Sequence, residues 1–336
     1  MTHEAMLYEK LDGGNVRCYL CGHRCKIAPK KRGICGVREN RDGILYTLVY
    51  GMVVAENVDP IEKKPLFHVY PGSRSFSIAT VGCNFSCTFC QNSDISQMPQ
   101  ETGKIIGREV TPDEIIERAV RTKSKTIAYT YTEPTIFFEF AYDTSRIAHK
   151  RGIRNVFITN GFMTVEAIEK ISPYLDAANV DLKSFNDDFY KKRCGGRLQP
   201  VLDSLRNMKD LGIWVEVTTL IIPTLNDTDE ELRQIAEFIL SLGSETPWHI
   251  SRFYPQHKMV NLPPTPVETI HRAAEIGKES GLKYVYSGNV PGDVGENTFC
   301  YNCGNLLIDR HGFFINRINL QESRCSKCGT PLDGIL

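Results

Sequence analysis

The sequence has no net charge, because 40 lysine and arginine residues are balanced by 40 aspartate and glutamate residues. Such a chain has no overall electrostatic field that would draw it to nucleic acid or to an anionic membrane. A local basic patch stays open as an alternative. The composition therefore excludes binding of nucleic acid or membranes through overall charge. The function has to be inferred from particular groups of residues.

The sequence also lacks long hydrophobic runs. No segment approaches about 18 uninterrupted apolar residues, and the opening MTHEAMLYEKLDGG has neither the positive nor the apolar region of a secretion signal. Long internal repeats and low-complexity tracts are missing as well. Since 41% of the residues are hydrophobic and 10% aromatic, the composition is that of a globular protein with a core. We expect a soluble, cytoplasmic protein with no membrane partner.

Cysteine, in contrast, is abundant, with twelve in 336 residues. Disulfides are typical of small secreted chains, so a large chain without a signal favours metal binding. Three groups and one leftover cysteine divide the chain, and we expect a metal-binding unit over 1–73, an α/β core over 74–295 and a zinc-ribbon-like unit over 296–336. The cysteines are Cys18, Cys21, Cys25 and Cys35, then Cys83, Cys87 and Cys90, then Cys194, then Cys300, Cys303, Cys325 and Cys328.

Between the outer groups, short β-rich runs alternate with amphipathic helical segments. The predicted strands are at 75–80, 126–130, 155–159, 179–183, 214–220, 248–253 and 283–287. The predicted helices are at about 111–120, 135–150, 164–172, 200–211, 227–242 and 266–280. This alternation predicts a parallel sheet, as an open doubly wound sheet or a complete or partial barrel, with functional residues at the carboxyl ends of its strands. Earlier in the chain, residues 44–56 read as a hairpin.

The central cysteine group lies in TVGCNFSCTFCQN, residues 80–92, and has the spacing C-x3-C-x2-C. It follows the first strand of the βα series directly, where the active site of such a fold should lie. A 4Fe–4S cluster held by three cysteines keeps one iron without a protein ligand, and that iron can bind substrate. The alternatives are a partial zinc site that borrows a distant ligand, or a chance spacing. Spacing and position together favour the cluster.

This loop resembles that of the radical S-adenosylmethionine (SAM) superfamily, whose C-x3-C-x-aromatic-C pattern is matched through Phe89. The resemblance implies that Cys83, Cys87 and Cys90 hold a 4Fe–4S cluster in a partial (β/α) barrel of radical SAM type. It also implies that SAM binds the fourth iron through its amino and carboxylate groups. The reduced cluster then splits SAM into methionine and a 5'-deoxyadenosyl radical.

A second motif of that superfamily, Gly-Gly-Glu-Pro, is partly matched by TYTEP at 130–134. The resemblance implies that Glu133 contacts the SAM amino group, although Tyr131 and Thr132 replace the two glycines. Alternatively, Glu133 is a negative charge at the start of a helix, where it complements the dipole.

Three further segments resemble pyruvate formate-lyase activating enzymes: TNGF at 159–162, DLKSFND from Asp181, and FYPQHK. The resemblance implies that Asp181 and Lys183 contact the SAM amino and carboxylate groups and that His257 contacts the ribose. An internal Asp181–Lys183 salt bridge is the alternative for the first two. A strand-end loop, IIPTLND, makes Asn226 a minor candidate.

The outer groups have the spacing of closed structural metal sites. CYNCG and CSKCG give C-x2-C-x21-C-x2-C, which predicts a zinc ribbon, with a rubredoxin-type iron site as the alternative. The N-terminal group is C-x2-C-x3-C-x9-C, and zinc is the preferred interpretation over an auxiliary iron–sulfur cluster, with His23 as a possible replacement for one thiolate. Cys194 is a small buried residue or, beside Gly195 and Gly196, a substrate-facing thiol.

Nearly the whole chain resembles the radical SAM enzymes of the AmmeMemoRadiSam system, which are similar to pyruvate formate-lyase activating enzymes. The shared segments include HVYPGSRSFSIATVGCNFSCTFCQN, YTYTEPT and SGNVPGDVGENTFCYNCG. The resemblance implies hydrogen abstraction from an unidentified substrate, a protein or RNA among the options, with AMMECR1-like and Memo-like partners and an electron donor such as ferredoxin or flavodoxin. The alternatives are activation of a glycyl-radical enzyme, or a non-catalytic zinc or iron–sulfur protein that binds nucleic acid or protein.

Overall fold

The computed structural model describes residues 3–336. Its N-terminal part contains six short strands: β1 (His3–Glu4), β2 (Tyr8–Lys10), β3 (Val16–Cys18), β4 (Lys26–Ile27), β5 (Arg38–Arg41) and β6 (Ile44–Thr47). They form two antiparallel sheets of three strands each, in the orders β1-β6-β5 and β2-β3-β4. A longer strand, β7 (Met52–Pro60), leaves this region and joins the main sheet.

The main sheet has nine strands, in the order β15-β14-β13-β12-β11-β10-β8-β7-β9. Besides β7 they are β8 (Arg74–Thr80), β9 (Arg108–Glu109), β10 (Thr126–Tyr129), β11 (Arg154–Thr159), β12 (Ala177–Asp181), β13 (Trp214–Ile221), β14 (Trp248–Arg252) and β15 (Val285–Gly288). From β8 to β15 all pairs except those of β7 and β9 are parallel. The parallel strands follow one another in chain order, which is the succession of a partial barrel; a doubly wound sheet reverses its order.

Nine α-helices accompany the strands within residues 3–336. They are α1 (Ser93–Ser96), α2 (Met98–Thr102), α3 (Pro112–Arg121), α4 (Phe138–Lys150), α5 (Val165–Ile171), α6 (Asp187–Phe189), α7 (Gln199–Asp210), α8 (Asp229–Ser241) and α9 (Val267–Glu279). Short 3-10 turns cover Asp12–Gly14, Ile61–Lys63, Pro134–Phe137 and Val294–Glu296, and a π-helical turn covers Tyr190–Cys194. No helix in this part of the chain is long and apolar enough to cross a membrane.

The predicted strands and helices of the core are confirmed, because their signals are local. In α3, Thr111 Oγ1 accepts a hydrogen bond from the Glu114 N–H, and the Glu114 carboxylate accepts one of 2.7 Å from the Thr111 N–H. Both donors belong to the first helical turn, which has no backbone acceptors of its own. Strand β10 is buried along its whole length, as expected for a parallel strand covered on both faces.

The C-terminal part is a small β unit. It contains β16 (Thr298–Phe299), β17 (Leu306–His311), β18 (Phe314–Ile318), β19 (Leu320–Gln321) and β20 (Arg324–Cys325). The first three form an antiparallel sheet and the last two a short antiparallel pair. Buried residues of this unit pack against Phe67, Tyr284 and Tyr286. Since Tyr284 directly precedes β15, the unit lies at the amino end of the barrel strands.

A buried carboxylate closes the same end of the barrel. Glu216, near the start of β13, is 0% exposed and accepts hydrogen bonds from the Phe67 N–H at 3.0 Å and the His68 N–H at 2.9 Å. The side chains of Trp214 and His249 donate to it at 3.1 and 2.6 Å. Burial alone would raise the pKa of Glu216, but these donors hold it below its usual value. The segment after β7 is thereby fixed across the bottom of the barrel.

The hairpin predicted over residues 44–56 is wrong. Strand β6 pairs with β1 and β5, whereas β7 pairs with β8 and β9, so the two neighbours in sequence belong to different sheets. Two β-rich runs specify strands but not their partners, and here the partner of β7 is the first barrel strand. The division of the chain at residue 73 is our proposal, and β7 is the part of the first unit that extends into the core sheet.

Candidate active site and metal centres

The three-cysteine loop begins where β8 ends, at the carboxyl edge of the barrel. The Cys87 and Cys90 thiols lie close enough to Cys83 for their charges to raise its pKa. The Phe85 N–H donates to Cys83 Sγ at 3.3 Å, and the Ser96 hydroxyl is 3.3 Å from Cys90 Sγ. Hydrogen bonds to the sulfurs are one of the means by which a protein tunes an iron–sulfur cluster.

The loop is fixed by the π-helical turn that follows α6. The N–H groups of Ser86 and Thr88 donate to the carbonyl groups of Cys194 and Arg193, both at 2.8 Å. The Cys194 thiol is buried and interacts directly with that of Cys87. Cys194 therefore lies beside the three-cysteine group, a position that its place in the sequence did not reveal.

Two glycines after Cys194 make this approach possible. A Cβ atom at Gly196 would overlap the ring of Phe85, and one at Gly195 would lie 2.7 Å from Ser86 Oγ. Gly195 also has a φ of +75°, which larger residues adopt only with strain. The Gly-Gly pair is thus needed for close packing on the loop, and sequence reasoning assigned it no such role.

Glu133 lies at the carboxyl end of the next strand, β10, and is 1% exposed. Its Oε1 accepts hydrogen bonds from the Thr135 N–H at 3.0 Å and from the hydroxyl groups of Thr135 and Thr159 at 2.5 and 2.7 Å. Its Oε2 accepts one from the Asn160 N–H at 2.8 Å. Burial raises the pKa of Glu133, and these donors partly offset the rise. The carboxylate joins the ends of β10 and β11, and Oε2 keeps room for a second donor.

Tyr131 replaces a glycine of the superfamily motif, yet its backbone has a φ of +62°, in the left-handed region that glycine prefers. The side chain is held by a hydrogen bond of 2.5 Å from its hydroxyl group to Asp59 Oδ2 and by Lys64 Nζ, 4.4 Å from the ring centroid. Its carbonyl group accepts from the Asn92 side chain at 2.7 Å. The glycine-like backbone is thus kept by contacts of the tyrosine side chain.

Asp181 and Lys183 meet at the end of β12, where Lys183 Nζ is 2.8 Å from Asp181 Oδ2. Burial alone would lower the pKa of Lys183, but the Asp181 charge raises it well above its usual value, so the ammonium group is charged. Lys183 Nζ also lies 5.8 Å from the Phe89 ring centroid. The salt bridge that was the alternative for this pair is therefore present, and it lies against the three-cysteine loop.

His257 lies on the loop after β14, which the Lys258 N–H ties to the Thr88 carbonyl group at 3.0 Å. Its Nε2 is buried and has no hydrogen-bond partner within residues 3–336. Because an unpaired buried polar atom is costly, this nitrogen is suited to a ligand. Asn226 differs, since its side chain binds the Lys183 and Leu220 carbonyl groups at 2.7 and 2.9 Å and so positions the ends of β12 and β13.

The residues present fit a three-thiolate cluster that leaves one iron for SAM to bind. Three thiols, the Asp181–Lys183 pair and an unpaired imidazole nitrogen all lie at the carboxyl edge of the sheet, at or after the ends of β8, β12 and β14. Burial raises the pKa of Cys83 well above its usual value, and the charge of Glu133 adds to this effect. Iron binding at this thiol therefore has to displace a proton.

The C-terminal group has the geometry of a single-metal site. Its four sulfurs lie within 4.8 Å of one another, with 3.6 Å between Cys300 and Cys328 and 3.8 Å between Cys303 and Cys325. Tetrahedral zinc with bonds of about 2.3 Å places its sulfurs about 3.8 Å apart. This group can hold a metal ion, at the amino end of the barrel and away from the three-cysteine loop.

The N-terminal group lies at the other end. Cys18, Cys21, Cys25 and Cys35 together line a cavity of about 20 Å³. His23, one of its lining residues, has Nε2 2.7 Å from the carbonyl oxygen of Asn84, next to Cys83. This bond engages Nε2, so His23 could replace a thiolate only through its other ring nitrogen, Nδ1.

Comparison with known proteins matches residues 77–239 to the family model of the radical SAM superfamily. The chain is 51% identical over 336 residues to an uncharacterized protein of Methanocaldococcus jannaschii, covering 99% of both chains. It is 26% identical over 178 residues to a pyruvate formate-lyase-activating enzyme of Clostridium pasteurianum, covering 51% of this chain and 71% of that protein. A solved radical SAM methyltransferase from Sphaerobacter thermophilus has the same fold, with a TM-score of 0.52, 19% identity and coverage of 70% and 71%. The family match contains the three-cysteine loop and lies between the two outer cysteine groups.

Proposed function

We propose that this chain, which belongs to the radical SAM superfamily, is an enzyme. It abstracts hydrogen from a substrate still to be identified. A 4Fe–4S cluster at Cys83, Cys87 and Cys90, together with SAM, supplies a 5'-deoxyadenosyl radical by reductive cleavage of SAM when both are bound. The observation that carries this proposal is the convergence of three thiols, Lys183 and the unpaired His257 nitrogen at the carboxyl end of one barrel.

The charged residues of the site are suited to a zwitterion. Asp181 presents a carboxylate for an ammonium group and Lys183 an ammonium for a carboxylate, so an amino acid can exchange their mutual salt bridge for two new ones. Glu133 Oε2 and His257 Nε2 supply an acceptor and a nitrogen for further polar contacts. These residues bind and orient SAM, with His257 assigned to the ribose.

Apolar side chains next to the loop exclude water. Phe89 is 5% exposed and its ring centroid lies 5.8 Å from that of Phe189. Water exclusion strengthens electrostatic contacts within the site and prevents side reactions of a reactive intermediate. Phe89 and Phe189 thus form an apolar wall beside the site, and Phe89 remains a proposed contact for the cofactor.

The proposed partners come from the radical chemistry and from the resemblance to the AmmeMemoRadiSam enzymes. A low-potential electron carrier such as ferredoxin or flavodoxin supplies the reducing electron, and zinc occupies the C-terminal four-cysteine site as a structural metal. AMMECR1-like and Memo-like proteins are the proposed functional partners, and a protein or an RNA is the proposed substrate. The similarity to an activating enzyme keeps a glycyl-radical enzyme as the second candidate substrate.

The test is anaerobic. The protein is reconstituted with iron and sulfide, reduced with dithionite and supplied with SAM, and 5'-deoxyadenosine is quantified. We expect the product only with reductant and SAM both present. A fully loaded, reduced cluster that yields no 5'-deoxyadenosine, with or without the proposed partners, would contradict the proposal.

Asp181→Asn should weaken SAM binding at least about tenfold, equivalent to about 1.4 kcal/mol, because it removes the charge that faces the SAM ammonium group. Equilibrium dialysis of the reconstituted protein with labelled SAM measures the dissociation constant, and iron content shows that the cluster is unaffected. Asp188→Asn is the matched control, since Asp188 is 61% exposed and pairs with surface lysines. Equal SAM affinity in both variants would leave the Asp181–Lys183 pair with a structural role only.

A further inference from the structure

The side chains of the four N-terminal cysteines line a cavity, whereas the sulfur atoms of the four C-terminal cysteines lie close to one another. All four N-terminal side chains line one cavity of about 20 Å³, larger than the 10–15 Å³ or so that a single water needs. Within residues 3–336, only the C-terminal four sulfurs form a group in which every pair lies within 4.8 Å. A single zinc ion needs convergence of that kind, while an iron–sulfur cluster distributes its four thiolates over two or more irons and requires volume between them.

A buried cation belongs to the same cavity. Arg38 lines it, is 2% exposed, and donates from Nη1 to Cys18 Sγ at 3.3 Å. Its Nη2 pairs with Glu139, but its buried Nε has no hydrogen-bond partner in the described part of the chain. An unpaired buried N–H is costly, and an acceptor in the cavity would remove that cost. The inorganic sulfides of a cluster are such acceptors, and a zinc ion brings none.

The cavity is also in direct contact with the three-cysteine loop. A Cβ atom built on Gly82, the residue before Cys83, would lie 3.6 Å from the Cys35 carbonyl oxygen and 2.7 Å from Val37. On the other side, Cys21 bridges to Met163 in the backbone and His23 bonds to Asn84. The C-terminal metal site, at the amino end of the barrel, has no comparable position.

From this geometry we propose that Cys18, Cys21, Cys25 and Cys35 hold an iron–sulfur cluster, in place of the zinc that the spacing alone favoured. All four ligands come from the protein, so this cluster has no open iron and carries electrons only. It takes one electron from a low-potential one-electron donor and passes one electron to the three-cysteine site. The electron-transfer role rests on the proposed function above, whereas the metal content does not.

The test uses a variant that cannot hold a cluster at the three-cysteine loop. In a Cys83→Ala/Cys87→Ala/Cys90→Ala variant, iron, sulfide and zinc are counted after anaerobic reconstitution, and circular dichroism checks the fold. We expect at least two irons and as many sulfides per chain, with one zinc at the C-terminal site. About two zinc ions and no bound iron would overturn the proposal, whether or not the wild type makes 5'-deoxyadenosine.

The wild type gives a second, independent count, which holds even if the variant is insoluble. Purified wild-type protein should contain one zinc per chain, and two would contradict an N-terminal cluster. The electron-transfer role is tested in the same triple variant by reduction with dithionite and electron paramagnetic resonance. A new paramagnetic signal of one spin per chain is expected, and a cluster that dithionite does not reduce would exclude that role.

Discussion

Replacing Glu216 by alanine is expected to lower the free energy of unfolding by at least about 3 kcal/mol, because each buried donor left without an acceptor costs about 1–3 kcal/mol. The variant leaves four such donors: the N–H groups of Phe67 and His68 and the side chains of Trp214 and His249. The midpoint of urea unfolding, followed by circular dichroism on metal-loaded protein, measures the loss.

Two control variants show whether the loss of stability comes from removing the buried acceptor of Glu216 or would follow from replacing a glutamate elsewhere. Glu216→Gln keeps one acceptor oxygen and should lose less stability than Glu216→Ala. Glu237→Ala, at an exposed position on α8, should change the midpoint little, as surface substitutions usually do. If Glu216→Ala were no less stable than Glu237→Ala, the carboxylate would not be what fixes the segment after β7 across the barrel.

Cys87→Ala is expected to abolish 5'-deoxyadenosine formation, by at least about a hundredfold. Two thiolates cannot hold the cluster in place of three, and the chemistry of the proposed enzyme depends on it entirely. Product quantification by chromatography, alongside the iron content of the same sample, measures the loss.

The matched control is Cys194→Ala, in which a neighbouring buried thiol is removed and the backbone bond from Ser86 to residue 194 is kept. We expect this variant to retain both iron and product. A loss as large as that of Cys87→Ala would make Cys194 a fourth ligand, and the open iron assigned to SAM would then not exist.

The parts of the fold that sequence could predict are those with local causes. The seven parallel strands are visible in the sequence as apolar runs. The start of α3 is indicated by the capping residue Thr111, followed three residues later by Glu114. The three-cysteine loop was placed correctly at the end of β8 because both its spacing and its strand are contiguous in sequence. Such features need no knowledge of distant residues.

What sequence could not predict depends on contacts between distant segments. The pairing of β7 with β8, the packing of Gly196 on Phe85 and the hydrogen bonds from Thr159 and Asn160 to Glu133 all join residues that no periodicity connects. The same holds for the N-terminal cysteines, whose spacing fits zinc and a cluster almost equally, with a slight preference for zinc. The cavity between their side chains and the unpaired Nε of Arg38 are what favour the proposed cluster.

The salt bridge between Arg38 and Glu139 can form only after a large part of the chain has been synthesised. The two residues are 101 positions apart in the sequence. When the N-terminal cysteines leave the ribosome, the Arg38 guanidinium beside them therefore has no carboxylate to pair with. A long loop must close before this contact can form, which slows the step relative to local ones. Co-translational metal loading of the proposed N-terminal site should therefore wait until α4 has been translated, and we expect a nascent chain stalled before residue 139 to take up metal poorly.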